Sequence, residues 1–547
     1  MQPTPPLAET SNGQRARSLS DHSVYWSHAA YTTWIIGCSL LVVTRIVGIT
    51  RQSLWYDEGY TLTLASSSTF HEFAHRFAGL TTSEHLQPLY YLLLFVWSRI
   101  AGVSDFALRA PSALASIGSG LLIYRIGTYL PHATRRFALA ATLLYTVSSF
   151  SLFYAQEARP YALSQFIAFA VLASWIRNKQ TLQARNRWFA FLCGVCTLCS
   201  LFTLLLLGSL ALADLLAERS LRVWIHIWRL PMAVCTVALS FYIVVSLHAF
   251  PHIIAKDVTS LKQPLWMNAW YMLYSLAFGT TLPPSSHLLR GAHKMQTALQ
   301  FWPVILPASL VLLALIVGAY LLLRKASDLH PASKAIALTA IFYSLALFGG
   351  LGMTGHINLL PRHASVLFAV LFVLGSLVAL QLSRSKSITG IVCFTGALVG
   401  LTLINLLSIG FYRYDSDFRK DDYRAAAHAL SSNSTNVYMP EGQPALLEHY
   451  GARVVDVTAV NPDELAEVLR TRSHGAPQVH LILNENRGFR WDHSAGVTAE
   501  LFTSYACIED WHLSYMDFLT CTLKPLPRNH GQSGTLLSQM GEAAHAR

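Results

Sequence analysis

The stretch Phe153-Tyr154-Ala155-Gln156-Glu157-Ala158-Arg159-Pro160-Tyr161 stands between two apolar runs, 137–155 and 160–176. Pro160 pushes Arg159 out of helical geometry, so one apolar helix stops at a Glu-Arg pair and another begins directly after it. An ionisable group at membrane depth costs about 2.5–3.5 kcal/mol and persists only with a partner or a task. The break therefore predicts two membrane helices that meet at a polar surface. Two readings of it stand side by side. Glu157 and Arg159 neutralise each other at the interface, or the planar guanidinium fork binds the oxygens of a phosphate.

The rest of the chain fits a membrane frame. Of its 547 residues, 53% are hydrophobic and 13% charged, against about 45–50% and 25% in soluble domains, which excludes an aqueous globular protein. Apolar runs at 31–50, 106–130, 137–155, 160–176, 188–203, 204–218, 230–250, 303–323, 335–354, 362–382 and 387–411 predict about eleven crossings. The piece 86–102 opens with His85-Leu86-Gln87-Pro88 and carries Arg99, and is expected to be embedded without crossing. The net charge of +11 is scattered in clusters between the runs and forms no basic face, so nucleic acid is not an expected partner. The clusters Arg15/Arg17, Arg125/Arg135/Arg136, Arg177/Lys179/Arg185/Arg187, Arg219/Arg222/Arg229, Arg324/Lys325/Lys334 and Arg384/Lys386 all fall on one side if 86–102 does not cross. The positive-inside rule then puts the N-terminus in the cytoplasm and the C-terminal region outside a cell (inner) membrane.

Residues 1–27 lack an apolar signal segment and read as a disordered cytoplasmic tail, and 28–411 as a multi-pass helical domain with a first outer loop at 51–85 and a large one at 251–300. From 412 to 526 the composition turns soluble. An alanine-rich helix and β-type runs at 436–439, 453–457, 479–483 and 518–523 predict a small α/β extracytoplasmic domain, and 527–547 read as a disordered tail. A hairpin between the run ending near Cys507 and the strand 518–523 would bring Cys507 and Cys521 together, as a disulfide or as two buried thiols. Cys193, Cys196 and Cys199 have a metal-like spacing but share an apolar run with no His or carboxylate, and read with Cys38, Cys235 and Cys393 as packing residues.

Chemistry is expected in the outer loops. Leu54-Trp55-Tyr56-Asp57-Glu58-Gly59-Tyr60 sets two carboxylates side by side just past the first run. Such neighbours can divide roles, one as general base or metal ligand and the other anchoring the backbone. A solvated loop entry with interfacial aromatics is the alternative. The same side carries His85 with Pro88 and Tyr90-Tyr91; His356, Arg362 and His363; and, in 251–300, His252, Lys256, Lys262, Trp266, Trp270 and His293.

In combination and order, Trp55-Tyr56-Asp57-Glu58, His85-x-x-Pro88-Leu-Tyr-Tyr-Leu-Leu-Leu94, Val103-Ser-Asp-Phe-Ala-Leu-Arg109-Ala-Pro-Ser112 and Tyr154-Ala-Gln-Glu-Ala-Arg-Pro-Tyr161 resemble the GT-C glycosyltransferases. Within these the chain is most similar to the protein mannosyltransferases that use dolichyl-phosphate-mannose and to the lipid A aminoarabinose transferases. The resemblance covers about residues 50–180, with Pro361-Arg362-His363 and the outer domain agreeing more loosely. Family members often have His-Pro-Pro at the His85 position and an aromatic at the His363 position. The resemblance implies a GT-C fold and an inverting transfer of a sugar from a polyprenyl-phosphate donor to an acceptor glycan, lipid or protein on the outer face. Asp57, with Glu58 beside it, maps to the family's acidic first-loop position. His85, Gln156, Glu157, Arg159, Tyr161, Arg362 and His363 are the donor phosphate and sugar candidates. A divalent cation is the one cofactor left open, with Asp57 and Glu58 as its ligands. The competing class is a transporter or flippase for a lipid-linked or anionic substrate, whose polar sites usually lie near the midplane in repeated, interrupted helices. Here the charges gather at one face and no repeat is evident.

Overall fold

The structure, a computed structural model, describes residues 28–80, 83–130, 134–181, 186–218, 220–246, 265–284, 299–324, 331–352, 360–382, 388–414, 420–430, 436–458, 462–473, 476–484, 497–513 and 516–524. The expected tails, His252, Lys256, Lys262, His293, His356 and the cluster residues Arg15, Arg17, Arg185, Arg219, Lys325, Arg384 and Lys386 lie outside them. Two compact units emerge, one of Met1–Gln52 with Tyr60–Arg419 and one of Ser53–Gly59 with Lys420–Arg547.

The first unit is helical: α1 (His28–Ile46), α2 (Tyr56–Ala65, shared with the second unit's segment), α3 (Phe70–Ala78), a 3-10 turn Ser83–Leu86, α4 (Pro88–Ala101), α5 (Asp105–Tyr129), α6 (Arg135–Thr146), α7 (Ser149–Ala155), α8 (Tyr161–Thr181), α9 (Asn186–Cys199), α10 (Leu201–Glu218), α11 (Leu221–Ser246), α12 (Leu265–Phe278), α13 (Trp302–Arg324), α14 (Pro331–Ser344), a 3-10 turn Pro361–Ala364, α15 (Ser365–Leu382) and α16 (Ile388–Tyr414). Among the described residues six helical segments are long and apolar enough to cross a bilayer: Asp105–Tyr129, Leu201–Glu218, Leu221–Val245, Pro331–Gly350, Pro361–Gln381 and Thr395–Tyr414. A bent pair, Arg135–Thr146 with Ser149–Ala155, makes a seventh. Of the other apolar runs, 31–50 falls in the 19-residue α1, 303–323 in the 23-residue α13, 188–203 in the 14-residue α9, and 160–176 in α8, a helix diluted by Ser164, Gln165, Arg177 and Asn178. At about 1.5 Å per residue, the 14-residue α4 is too short to cross.

Three boundaries differ from the sequence expectation, each for a visible reason. The run 137–155 is two helices bent by 63°, because Ser148 caps α7 by accepting from Ser151 N–H. The joint between α9 and α10 falls at Ser200, where Ser200 and Thr203 each accept the other's backbone N–H through their hydroxyls, at 3.2 and 3.0 Å. Lys179, expected among loop cations, lies within α8 and forms a buried ion pair with Asp214 of α10 at 2.8 Å. Asp214 also accepts from Trp228 Nε1 of α11 at 2.8 Å.

Helix packing in this unit uses small residues at close crossings. A Cβ on Gly120 would come within 2.4 Å of Leu41 in α1, and one on Gly127 within 2.7 Å of Ala138 in α6. Around α8 the core is aromatic, with Tyr145 in ring contact with Phe169, Phe368 and Phe372, and Phe372 with Phe169.

The bend at 147–148 exposes backbone groups that no water can reach in a bilayer core. Arg45 of α1 meets this need. Fully buried, it donates to the last carbonyls of α6, Tyr145 O and Thr146 O, each at 3.0 Å, and to Ser116 and Ser151. On the far side of the bend Asn405 of α16 accepts from Ser149 N–H at 2.9 Å and donates to Ala277 O at 2.8 Å.

In the second unit, α17 (Tyr423–Ala429) precedes an α/β fold with α18 (Pro444–His449), α19 (Pro462–Arg472) and α20 (Val497–Ser504). Its sheet has strands β1 (Val437–Pro440), β2 (Val455–Val457), β3 (Gln478–Asn484), β4 (Tyr505–Leu513) and β5 (Met516–Leu523) in the order β2-β1-β3-β5-β4. β1 is parallel to β2 and β3, and β5 is antiparallel to β3 and β4. Leu465, Leu469, Leu501 and Phe502 of α19 and α20 close its core over Val479, Leu481 and Leu519. β4 is longer than expected, since Glu509-Asp510 interrupt its alternation where a bulge separates Glu509 from Trp511. Cys507 and Cys521 oppose each other in register, 4.0 Å apart at Cα, and are joined as a disulfide.

Arg45→Met leaves the end of α6 unsatisfied and removes charge-assisted bonds, a loss of about 3 kcal/mol or more, read as a lower melting temperature in detergent; an unchanged melt contradicts the assignment. Alkylation of the intact protein should leave Cys507 and Cys521 unlabelled until a reductant is added.

Candidate functional site

In the first unit the site grows from the break between α7 and α8. That loop is tied down along its length. Gln156 Nε2 donates to Val47 O at 2.9 Å, with Arg45 O and Thr44 O at 3.3 and 3.4 Å, so it caps the C-terminus of α1. Ala158 O accepts from Thr61 Oγ1 of α2 at 2.8 Å. Arg159 O accepts from Ser112 Oγ of α5 at 3.0 Å. Arg109, one turn before Ser112, donates to Ile49 O and Gln52 O, both at 2.8 Å, fixing the chain that leaves α1.

Held this way, the Arg159 side chain is 1% exposed. Its Nη2 pairs with Glu84 Oε1 at 2.7 Å and donates to the Tyr161 hydroxyl at 3.0 Å. The Tyr91 phenol lies close enough to feel both charges of that pair. Beside Glu84, the buried His85 ring stacks on Phe77 with centroids 4.7 Å apart. Tyr242 donates to Leu86 O at 3.0 Å and fixes the end of the same turn. Glu157 is buried next to Arg159 in sequence.

The support behind His85 is electrostatic as well as apolar. In α3, which carries Phe77, the Ser68 hydroxyl and N–H donate to Glu72 at 2.7 and 2.6 Å and hold its carboxyl below the usual range. Arg76 donates to Thr63 O at 2.7 Å, and Arg99 to Ala65 O at 2.8 Å, so two cations sit at the C-terminal end of α2, where the helix dipole favours them.

Arg362 and His363 lie in the 3-10 turn that leads into α15. His363 Nδ1 accepts from Leu360 N–H at 3.1 Å and its ring stacks on Phe202, 5.0 Å between centroids. That nitrogen is occupied in shaping the turn.

In the second unit, Ser53–Gly59 packs with the C-terminal α/β fold. Ser53 Oγ donates to Asp421 O at 3.0 Å, and Asn484 Nδ2 donates to Asp421 Oδ2 at 3.1 Å. Leu54 N–H donates to the Tyr450 hydroxyl at 2.8 Å, and Lys420 lies 5.3 Å over the Trp55 ring. At Gly59 a Cβ would strike Gln443 at 2.8 Å, so the approach demands glycine. Asp57 and Glu58 occupy the first turn of α2. Glu58 is fully buried and its Oε2 accepts from Trp55 N–H at 3.3 Å, while Asp57 is half-buried. The two carboxylates thus differ in environment, Glu58 anchoring the turn. A divalent cation there would be held by the carboxylates of Asp57 and Glu58, hard oxygen ligands that suit Mg2+ or Ca2+. Among the described residues the one three-ligand cluster of His, Cys or carboxylate groups is Glu509, His512 and Asp517 in the second unit.

Sequence reasoning passed over Glu84, the ion-pair partner of Arg159, although it directly precedes His85. It also passed over Arg45, whose charge inside the first apolar run was the available signal.

No protein-family model and no curated protein matches the chain. Solved structures do. ArnT from Cupriavidus metallidurans in the apo state is 13% identical, with a TM-score of 0.55 over 90% of this chain and 98% of that one. The same ArnT bound to undecaprenyl phosphate gives 13% identity and a TM-score of 0.50 over 89% and 97%. ArnT is a lipid A aminoarabinose transferase of the GT-C type. The likeness is one of fold: this chain is a multi-pass helical membrane protein with a small C-terminal sheet region, and its fold is similar to that of ArnT.

Proposed function

We propose that the chain is an integral-membrane glycosyltransferase that moves a sugar from a polyprenyl-phosphate donor to an acceptor glycan, lipid or protein, with inversion at the anomeric carbon. The observation that carries this reading is the buried Arg159, fixed at a break between apolar helices and flanked by Tyr161, Tyr91 and Glu84. A guanidinium at such a break suits the phosphate of a lipid whose tail stays in the bilayer. The GT-C fold shared with ArnT, which has been seen with undecaprenyl phosphate, supports the same donor class.

The chemistry asks little of the protein beyond charge. The acceptor oxygen attacks the anomeric carbon from the face opposite the phosphate, Asp57 takes the acceptor's hydroxyl proton, and the sugar–oxygen bond breaks with its electron pair going to the phosphate. The leaving group is a phosphate monoester, so stabilising its charge matters more than protonating it. In this reading Glu58 anchors the Trp55 N–H and the half-buried Asp57 is the base. His85, Gln156, Glu157, Arg362 and His363 complete the donor side, Gln156 and His363 chiefly by shaping the backbone. In this reading the apolar runs make about eleven crossings of a cell inner membrane, with the N-terminus cytoplasmic and the reaction on the outer face. The disulfide in the C-terminal sheet supports that side, since such bonds persist in oxidising compartments.

Purified protein in nanodiscs, supplied with polyprenyl-phosphate sugars, should release polyprenyl phosphate. Asp57→Asn, which removes basicity at nearly constant volume, should slow release about 10²–10⁴-fold while keeping lipid-phosphate binding. Arg159→Ala should instead weaken binding by about 10–100-fold. Wild-type turnover in the Asn variant would remove Asp57 from the role of base.

A further inference from the structure

Glu84 deepens the donor-site reading, and the role assigned to it rests on that reading. The carboxylate is buried, 2.7 Å from Arg159 Nη2, on a turn that has little room to move. His85 next to it is stacked on Phe77, and Leu86 is held by the Tyr242 hydroxyl. The partner guanidinium is equally fixed, by Tyr161 at its Nη2 and by Ser112 at its carbonyl. A phosphate that reaches Arg159 therefore meets a stationary negative charge beside the positive one.

The two lipid phosphates of the proposed reaction differ in charge. In the donor the phosphate is a diester with one negative charge. After transfer it is a monoester, and with a second ionisation near pH 6 it carries close to two at pH 8. An unaccompanied arginine would prefer the dianion, so the spent carrier would bind more tightly than the donor and clog the site. With Glu84 in place, the extra charge of the product is repelled in a poorly screened environment.

We infer that Glu84 is a positioning and discriminating residue: it holds Arg159 in place when the site is empty and, by its charge, sets the preference for the singly charged donor phosphodiester over the doubly charged product monoester. Spent carrier is thereby expelled.

The test uses two probes on the full chain in neutral-lipid nanodiscs at pH 8, undecaprenyl phosphate and its methyl phosphodiester, and needs no knowledge of the sugar. Wild type should bind the monoester no more tightly than the diester. Glu84→Gln, isosteric and uncharged, should tighten the monoester at least roughly fivefold more than the diester, whereas Glu84→Asp, which keeps the charge, should leave the ratio near wild type. A wild type that clearly prefers the monoester overturns the inference without any variant. An unchanged ratio in the Gln variant, or equal weakening of both lipids, reduces Glu84 to scaffold and overturns it as well. If wild type binds neither lipid, the donor-site reading itself has failed and this inference falls with it.

Discussion

A broken helix inside a bilayer must find partners for its own backbone, because no water is there to supply them. The first unit is arranged around that requirement. Its polar surface depends on the interruption between α7 and α8, and its shape depends on the bend between α6 and α7, and both leave carbonyls and N–H groups without helical partners. Arg45, Asn405, Ser112 and Thr61 meet those groups from neighbouring helices, while Gln156 and Arg109 fix the chain at the end of α1. Most of the polar side chains around the loop are therefore engaged in holding the loop. The Arg159 side chain is used differently, its guanidinium paired with Glu84 and bonded to the Tyr161 hydroxyl.

Charge burial follows the same economy. Removing an ion from water costs several kcal/mol even after relaxation, and a partner with further hydrogen bonds must offset it. Lys179 with Asp214 and Arg159 with Glu84 satisfy this in different ways. The first pair is completed by Trp228 and ties α8, α10 and α11 together. The second lies just before α8, with the Tyr161 hydroxyl bonded to the arginine, and is the pair to which the proposed donor site is assigned.

Much of this was legible in the residues. The helix break was visible because Pro160 and a Glu-Arg pair interrupt an apolar pattern, and the division of labour between Asp57 and Glu58 was foreseeable from their adjacency, though not which carboxylate would anchor the backbone. In the fold Glu58 is the buried one and accepts from the Trp55 N–H. The partner of Arg159 was not legible, since Glu84 is 75 positions away and only folding brings the two together. The bend at Ser148 escaped because Arg45, which satisfies the carbonyls the bend exposes, lies a hundred residues earlier. Strand β4 was only partly visible because its bulge breaks the alternation on which strand recognition rests. The engagement of Ser53–Gly59 with the α/β fold depends on Asp421, Tyr450 and Gln443, which carry no local signature of such a contact.

The central claim is that a lipid phosphate sits on Arg159. A photoactivatable polyprenyl phosphate, cross-linked to the full chain in nanodiscs and mapped by mass spectrometry, tests it most directly. Adducts are expected on the 83–91 and 156–161 segments, and they should disappear when unlabelled undecaprenyl phosphate is added in excess. Competable adducts confined to other segments, with none on these two, would contradict it.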